Sequence, residues 1–288
     1  VALLNDQLVY SLSDLSGETA SLVAAEVNHR EFRGQLKPSL GSLAHKLLPL
    51  AACFSKAPIS GIHVGAIAVG QSGHLYLGAN LEFESIPLNA TLHAEQSAIL
   101  NARNHGETEI TEIHISESPC GHCRQFMREL SNASELKISI KGNIHSLDNL
   151  LPNAFAKTPA QGSGILDANP TRLSPIKPEP DALKMQAVKA ASLSFAPYSQ
   201  CPEGFVMECI DGGSFTGSAV ESVAFNPSVP PVLVALNQRN LSSSRDAAIT
   251  ACAQAKLATT LNNSLPIAKA ILRSLTDTHV NVVLMECL

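Results

Sequence analysis

The spacing of apolar residues changes repeatedly along the first half of the chain, and each change predicts an element. Leu43, Leu47, Leu50 and Phe54 recur at three- and four-residue intervals, which predicts a helix over 42–55. The apolar run 63–69 reads as a strand. The turn Gln71-Ser72-Gly73 returns the chain into Leu75-Tyr76-Leu77, which predicts a hairpin. A helix is expected over 91–103, with Thr91 available to cap its start. Over 110–116, Ile113 and Ile115 alternate with Glu112 and His114, the period of a strand. Pro119 then suits the first turn of a helix running to about residue 130, and a further strand is expected over 136–140. Residues 1–40, polar with spaced leucines, predict a small helical lead-in.

A stretch rich in Pro, Gly, Ser and Ala follows, with Pro175, Pro178 and Pro180 close together, and marks a domain boundary. Beyond it the first half returns in weaker form. Ala57-Pro58-Ile59-Ser60 is echoed by Ala196-Pro197-Tyr198-Ser199, and Gly78-Ala79-Asn80-Leu81-Glu82 by Gly217-Ser218-Ala219-Val220-Glu221. The Asp211-Gly212-Gly213 turn gives the second copy its own hairpin. Counting on from Glu82 and Glu221 sets His93 opposite Val232 and Glu95 opposite Val234. Local propensity makes 247–260 a helix, but the repeat requires a strand near its start, and the strand is the expectation. The domains read as 1–41, a helical segment; 42–157, a first domain; 158–180, a linker; and 181–288, a degenerate copy.

Composition narrows the function. The chain has 288 residues, enough for two domains, with 45% hydrophobic and 16% charged residues, as in a soluble α/β protein. No apolar run approaches the roughly 18–20 residues of a membrane helix. The opening Val1-Ala2-Leu3-Leu4 is short and lacks a basic flank, so no signal peptide is expected, and the absent initiator Met suggests a trimmed N-terminus. A net charge of −5, no Lys/Arg cluster, no Trp and 4% aromatics argue against gripping a polynucleotide. A small neutral substrate is expected. Seven cysteines without a signal peptide suggest a reducing, cytoplasmic setting. Cys53, Cys201, Cys209, Cys252 and Cys287 stand singly and read as buried free thiols.

Cys120 and Cys123 are the exception. They lie at i and i+3 of a predicted helix, so both sulfurs face one way, and its first turn stabilises thiolates. Alone, a Cys-x-x-Cys pair could be a redox dithiol, half of a structural metal site or chance. His93-Ala94-Glu95 adds one imidazole and one carboxylate. One His and two Cys give three ligands, the count of a catalytic zinc with an open position, and a structural site would show a fourth. Glu95 can sit over the open position and take a proton from water, which matters more where two thiolates weaken the Lewis acid. His122, between the cysteines, is expected to point elsewhere. His63, His74, His105 and His114 have no ligand spacing.

His93-Ala94-Glu95 followed by Pro119-Cys120-Gly121-His122-Cys123 resembles the signature of zinc-dependent nucleobase deaminases. With 93–99, 119–127 and Gly78-Ala79-Asn80-Leu81-Glu82, the chain is similar to the long, two-domain bacterial cytidine deaminases over nearly its whole length, except the first forty residues and the linker. The resemblance implies a duplicated three-layer α-β-α fold with a second domain lacking zinc ligands. It implies one zinc per chain on His93, Cys120 and Cys123. Glu95 would shuttle protons from the water to pyrimidine N3 and to departing ammonia, converting cytidine and 2'-deoxycytidine to uridine and 2'-deoxyuridine in pyrimidine salvage. Asn80 and Glu82 would hold the ribose 3'-hydroxyl, and the backbones of Ala94 and Ser118 the base edge. Phe155 would reach the active site of the other subunit of a homodimer. One departure stands out: Ile62 occupies a position where relatives carry a phenylalanine near the pyrimidine. The alternatives are a deaminase of a nucleotide or single-stranded nucleic acid, disfavoured by the charge balance, and a structural zinc module, which leaves Glu95 unexplained.

Overall fold

Along the strand Gly65–Gly70 (β2), Ala66 and Ala68 face one way and Ile67 and Val69 the other, and both faces pack against apolar neighbours. A strand covered on both sides implies helices above and below it. The computed structural model describes residues 5–155, 163–177, 181–275 and 281–288, and it has this layering twice.

In the first half, Gln35–Leu36 (β1), β2, Leu75–Ala79 (β3), Ile110–Ile115 (β4), Lys137–Ile140 (β5) and Asn143–Ser146 (β6) form one mixed sheet in the order β1-β3-β2-β4-β5-β6. One face carries Asn5–Ser11 (α1), Gly17–Val27 (α2) and Leu48–Ala52 (α3). The other carries Ala94–Asn104 (α4) and Gly121–Met127 (α5). Leu147–Leu150 (α6) follows β6. In the second half, Glu203–Cys209 (β7), Ser214–Ser218 (β8), Ile249–Leu257 (β9) and Val282–Cys287 (β10) form a sheet in the order β10-β9-β7-β8. It is covered by Ala182–Ser192 (α7) on one face and by Pro231–Asn240 (α8) and Leu265–Leu275 (α9) on the other. The strand expected from the repeat, rather than the helix of local propensity, is thus β9.

The two halves meet through α4 and α8, and one apolar core runs from Ile99 and Phe126 across to Val232 and Leu236. A buried polar pair sits in this seam: the Ser97 hydroxyl donates to Asn237 Oδ1 (2.6 Å), and Asn237 Nδ2 donates to the Ser97 carbonyl (3.0 Å). The Pro/Gly-rich stretch is packed rather than loose where it is described. Ile165 is buried, its N–H bonds the Glu129 carbonyl, and Pro175 bridges Cys287.

Three expectations change. The helix expected over 42–55 is a 3-10 segment, Pro38–Leu47, followed by α3, because Pro49 has no N–H with which to continue one α-helix. α4 begins at Ala94 with His93 as its N-cap, not at Thr91, because Leu92 is held in a β-bridge with Leu81 and the Thr91 hydroxyl bonds the Leu88 carbonyl. The lead-in is not purely helical: β1 joins the sheet edge antiparallel to β3.

The repeat register also shifts. Val220 bridges Val229 as Leu81 bridges Leu92, but the second connection is two residues shorter. The glycines fix the match. A Cβ on Gly78 would lie 2.4 Å from the Ala94 carbonyl and 2.3 Å from the Ala98 N, and one on Gly217 would lie 2.0 Å from the Pro231 carbonyl and 2.6 Å from the Ala235 N. Ala94 therefore corresponds to Pro231, so His93 falls opposite Pro230 and Glu95 opposite Val232, two residues earlier than sequence counting gives.

Because that obstacle is backbone on both sides, Gly78→Ala must push α4 away from β3. Chemical denaturation is expected to show a loss of about 3 kcal/mol. A variant as stable as wild type would mean that the α4 approach is looser than described.

Candidate active site

Two helix N-termini converge at one end of the first sheet. His93 caps α4 and Glu95 lies in its first turn. Cys120 caps α5 and Cys123 is its third residue. Cys120 Sγ lies 3.5 Å from His93 Nδ1 and 3.7 Å from Cys123 Sγ. The three ligand atoms are within 4.8 Å of one another, and among the described residues no other group of three such side chains converges in this way.

The hydrogen bond from Cys123, then that from His93, draws the Cys120 thiol down to about 3, against the opposing effect of burial. The hydrogen bond to Cys120 and its own burial push the Cys123 thiol up. The hydrogen bond to Cys120 raises His93. One imidazole and two cysteine sulfurs, which lose their protons on binding a cation, form a donor set that fits zinc, with three protein ligands and a fourth side open.

Glu95 is 5% exposed and stands outside this set. Burial raises its carboxyl above the ordinary value, more than the nearby His93 charge lowers it. A carboxyl biased toward its neutral form takes and returns a proton readily.

A cavity of about 220 Å³ opens onto these groups. His93, Glu95 and Cys120 line it together with Ile62, Asn80, Glu82, Ala94 and Ser118, so these expected pocket residues come together from four separate stretches of chain. A larger hollow of about 570 Å³ beside Leu22, Phe32 and Leu36 contains none of them. Asn80 is buried and closely held: its Oδ1 accepts from Ser55 Oγ (2.7 Å) and the Val64 N–H (2.9 Å), and its Nδ2 donates to the Ile62 carbonyl (2.9 Å). Glu82 Oε2 accepts from the N–H groups of Ile59 (3.0 Å) and Ser60 (2.9 Å), and Oε1 from the Ser60 hydroxyl. Burial opposes the Glu82 charge, but these hydrogen bonds outweigh it and hold the carboxyl below its ordinary value.

Ile62 is 59% exposed at the cavity rim. Phe155 is not in this cavity. Its backbone is clamped by Gln125 and its ring is 67% exposed on the surface. His122 stays outside the ligand set, as expected, but it does not point away from the site: its ring stacks on that of His93 at 5.1 Å. Sequence reasoning missed Ser55, Thr91 and Glu117. Only Ser60, inside the repeated Ala-Pro-x-Ser string, carried a usable signal.

The second half repeats the frame without the chemistry. Glu221 accepts from the N–H groups of Tyr198 and Ser199 and from the Ser199 hydroxyl, as Glu82 does from Ile59 and Ser60. Pro230 and Val232 offer neither a ligand nor a carboxylate.

A His/Cys/Cys set with an open side, beside a buried carboxyl on a duplicated α/β frame, defines a zinc-dependent hydrolase of the deaminase type. The family model "Cytidine and deoxycytidylate deaminase zinc-binding region" matches residues 42–138 and a second such model matches 147–264. The chain is 42% identical over 243 residues to the cytidine deaminase of Pectobacterium atrosepticum, covering 82% of this chain and 81% of that one. It is 45% identical over 221 residues to that of Pasteurella multocida, covering 75% and 73%. With that of Cronobacter sakazakii it shares 45% identity over 201 residues, covering 69% and 68%. The chain belongs to the cytidine deaminase family of zinc-binding enzymes.

Proposed function

We propose that the protein hydrolyses cytidine and 2'-deoxycytidine to uridine and 2'-deoxyuridine, releasing ammonia, in pyrimidine salvage. The observation that carries this reading is the single cavity shared by the metal-ligating set, Glu95 and the Asn80–Glu82 pair. His93, Cys120 and Cys123 would hold the zinc, which would supply Lewis acidity toward the attacking water. Glu95 takes a proton from the water that adds at C4 and delivers it to N3. It then takes the proton of the new C4 hydroxyl and passes it to the amino group as the C4–N bond breaks, so ammonia leaves and the carbonyl of uridine remains. Asn80 and Glu82 hold the ribose 3'-hydroxyl, the backbones of Ala94 and Ser118 face the base edge, and Ile62 is an apolar wall.

The cavity wall includes Glu82, Glu95 and Glu117 and no Lys or Arg among the described residues, which favours a nucleoside over a phosphorylated substrate. The catalytic domain is residues 42–157, and 181–288 is its zinc-free copy. The exposed ring of Phe155 suits a role in the partner subunit's site, in a homodimer with one zinc per chain. No helix among the described residues is long and apolar enough to cross a membrane, and the cytoplasm is the proposed location.

Pure, zinc-loaded protein mixed with cytidine should show the ultraviolet change to uridine and stoichiometric ammonia; no change would overturn the reading. Ile62→Phe adds an aromatic face at an open rim. Steady-state kinetics are expected to give unchanged turnover with an equal or lower KM. A large loss of turnover would mean that the pocket wall is shaped otherwise.

A further inference from the structure

The orientation of the Asn80 amide is set by backbone. Its Oδ1 must face the Val64 N–H and its Nδ2 the Ile62 carbonyl, since the reverse would put donor against donor and acceptor against acceptor. Ser55 then has one role open to it. Its hydroxyl donates to Oδ1 at 2.7 Å, filling the second acceptor site of that oxygen. Ser55 Oγ also lies 3.1 Å from His63 Nδ1. The single hydroxyl proton is already engaged, so His63 carries the proton on Nδ1 and donates to Ser55. The polarity runs one way, from His63 to Ser55 to Asn80. With its oxygen doubly occupied, Asn80 has only its second N–H to offer the cavity, and no described residue takes it. Glu82, beside it, is a pure acceptor.

We infer that Ser55, held by His63, is a positioning residue: it reinforces the backbone-set orientation of Asn80 and closes the second acceptor site of its Oδ1, so that Asn80 meets the sugar only as a hydrogen-bond donor. The ribose hydroxyl is thus read as an acceptor from Asn80 and a donor to Glu82. This rests on the proposed nucleoside substrate and extends it. An ether, a hydrogen or a fluorine at the same carbon satisfies at most one of the two partners, so a free hydroxyl is selected.

The test compares cytidine with 3'-deoxycytidine, which lacks the hydroxyl, in wild type and Ser55→Ala. Zinc content and melting temperature serve as controls. If wild type does not deaminate cytidine, the underlying reading fails. If it does, Ser55→Ala is expected to lower the ratio of kcat/KM for cytidine to that for 3'-deoxycytidine about fivefold, through KM, the size expected for one hydrogen bond. Ser55→Thr, which keeps the hydroxyl, should restore most of the ratio. Equal losses on both substrates, or none on either, would overturn the positioning role. Should Ser55→Ala not fold, His63→Ala carries the same test, with the ratio expected to fall about twofold and an unchanged ratio counting against the inference.

Discussion

Replacing Glu95 by alanine is expected to leave zinc bound and to cut turnover on the order of 10³-fold or more. Both halves of this result follow from position. Glu95 shares the first turn of α4 with the capping His93, yet its side chain is outside the three-ligand group. Removing it takes away no ligand, so metal analysis should still find one zinc per chain. What disappears is the buried carboxyl able to carry a proton between water, N3 and the departing amine. Glu95→Gln fills the same space without that ability and should lose as much, which separates proton transfer from local collapse. Full activity in either variant would mean that another group carries the proton.

The second large effect concerns the metal itself. Cys123 is fully buried in α5, whereas His93 caps α4, so an ion held by both would tie the starts of the two helices together. Cys123→Ala is expected to abolish measurable turnover and zinc binding together. It should also remove the stabilisation that wild type gains from the ion, about 4 kcal/mol when free zinc is a thousandfold above its Kd. A chelator should bring wild type to the same state, and added zinc should rescue wild type but not the variant. Thermal melting with and without chelator checks the stability and a deamination assay the activity. A variant that keeps both zinc and turnover would remove Cys123 from the ligand set.

Much of this site was readable from the chain because its chemistry depends on local spacing. Cys120 and Cys123 are three residues apart at one helix start, and His93 and Glu95 two apart at another, so their convergence needed only the sheet to bring two helix starts together. Asn80 and Glu82 were readable through a motif at the end of β3. The Ser55–His63–Asn80 chain was not, because Ser55 and Asn80 are twenty-five residues apart and meet only when the segment after α3 packs beside the end of β3. The repeat was visible as short strings, but its register was not. A two-residue shortening between Val220 and Val229 has no sequence mark until the close contacts of Gly78 and Gly217 with their helices are compared. The break at Pro49 was legible in principle, since a proline there removes the donor that a continuous helix needs, but the leucine period across it is the stronger local signal. The Ser97–Asn237 pair joins positions 140 apart and follows only from docking of the two halves.

The most direct test of the account is the initial rate of ammonia release by zinc-loaded protein from cytidine, 2'-deoxycytidine and 2'-deoxycytidine 5'-monophosphate, each at the same subsaturating concentration. Glu82 and Glu117 in the cavity wall, with no Lys or Arg beside them among the described residues, predict rapid release from both nucleosides and a rate at least about a hundredfold lower from the monophosphate. Release from the monophosphate alone, with both nucleosides inert, would contradict it.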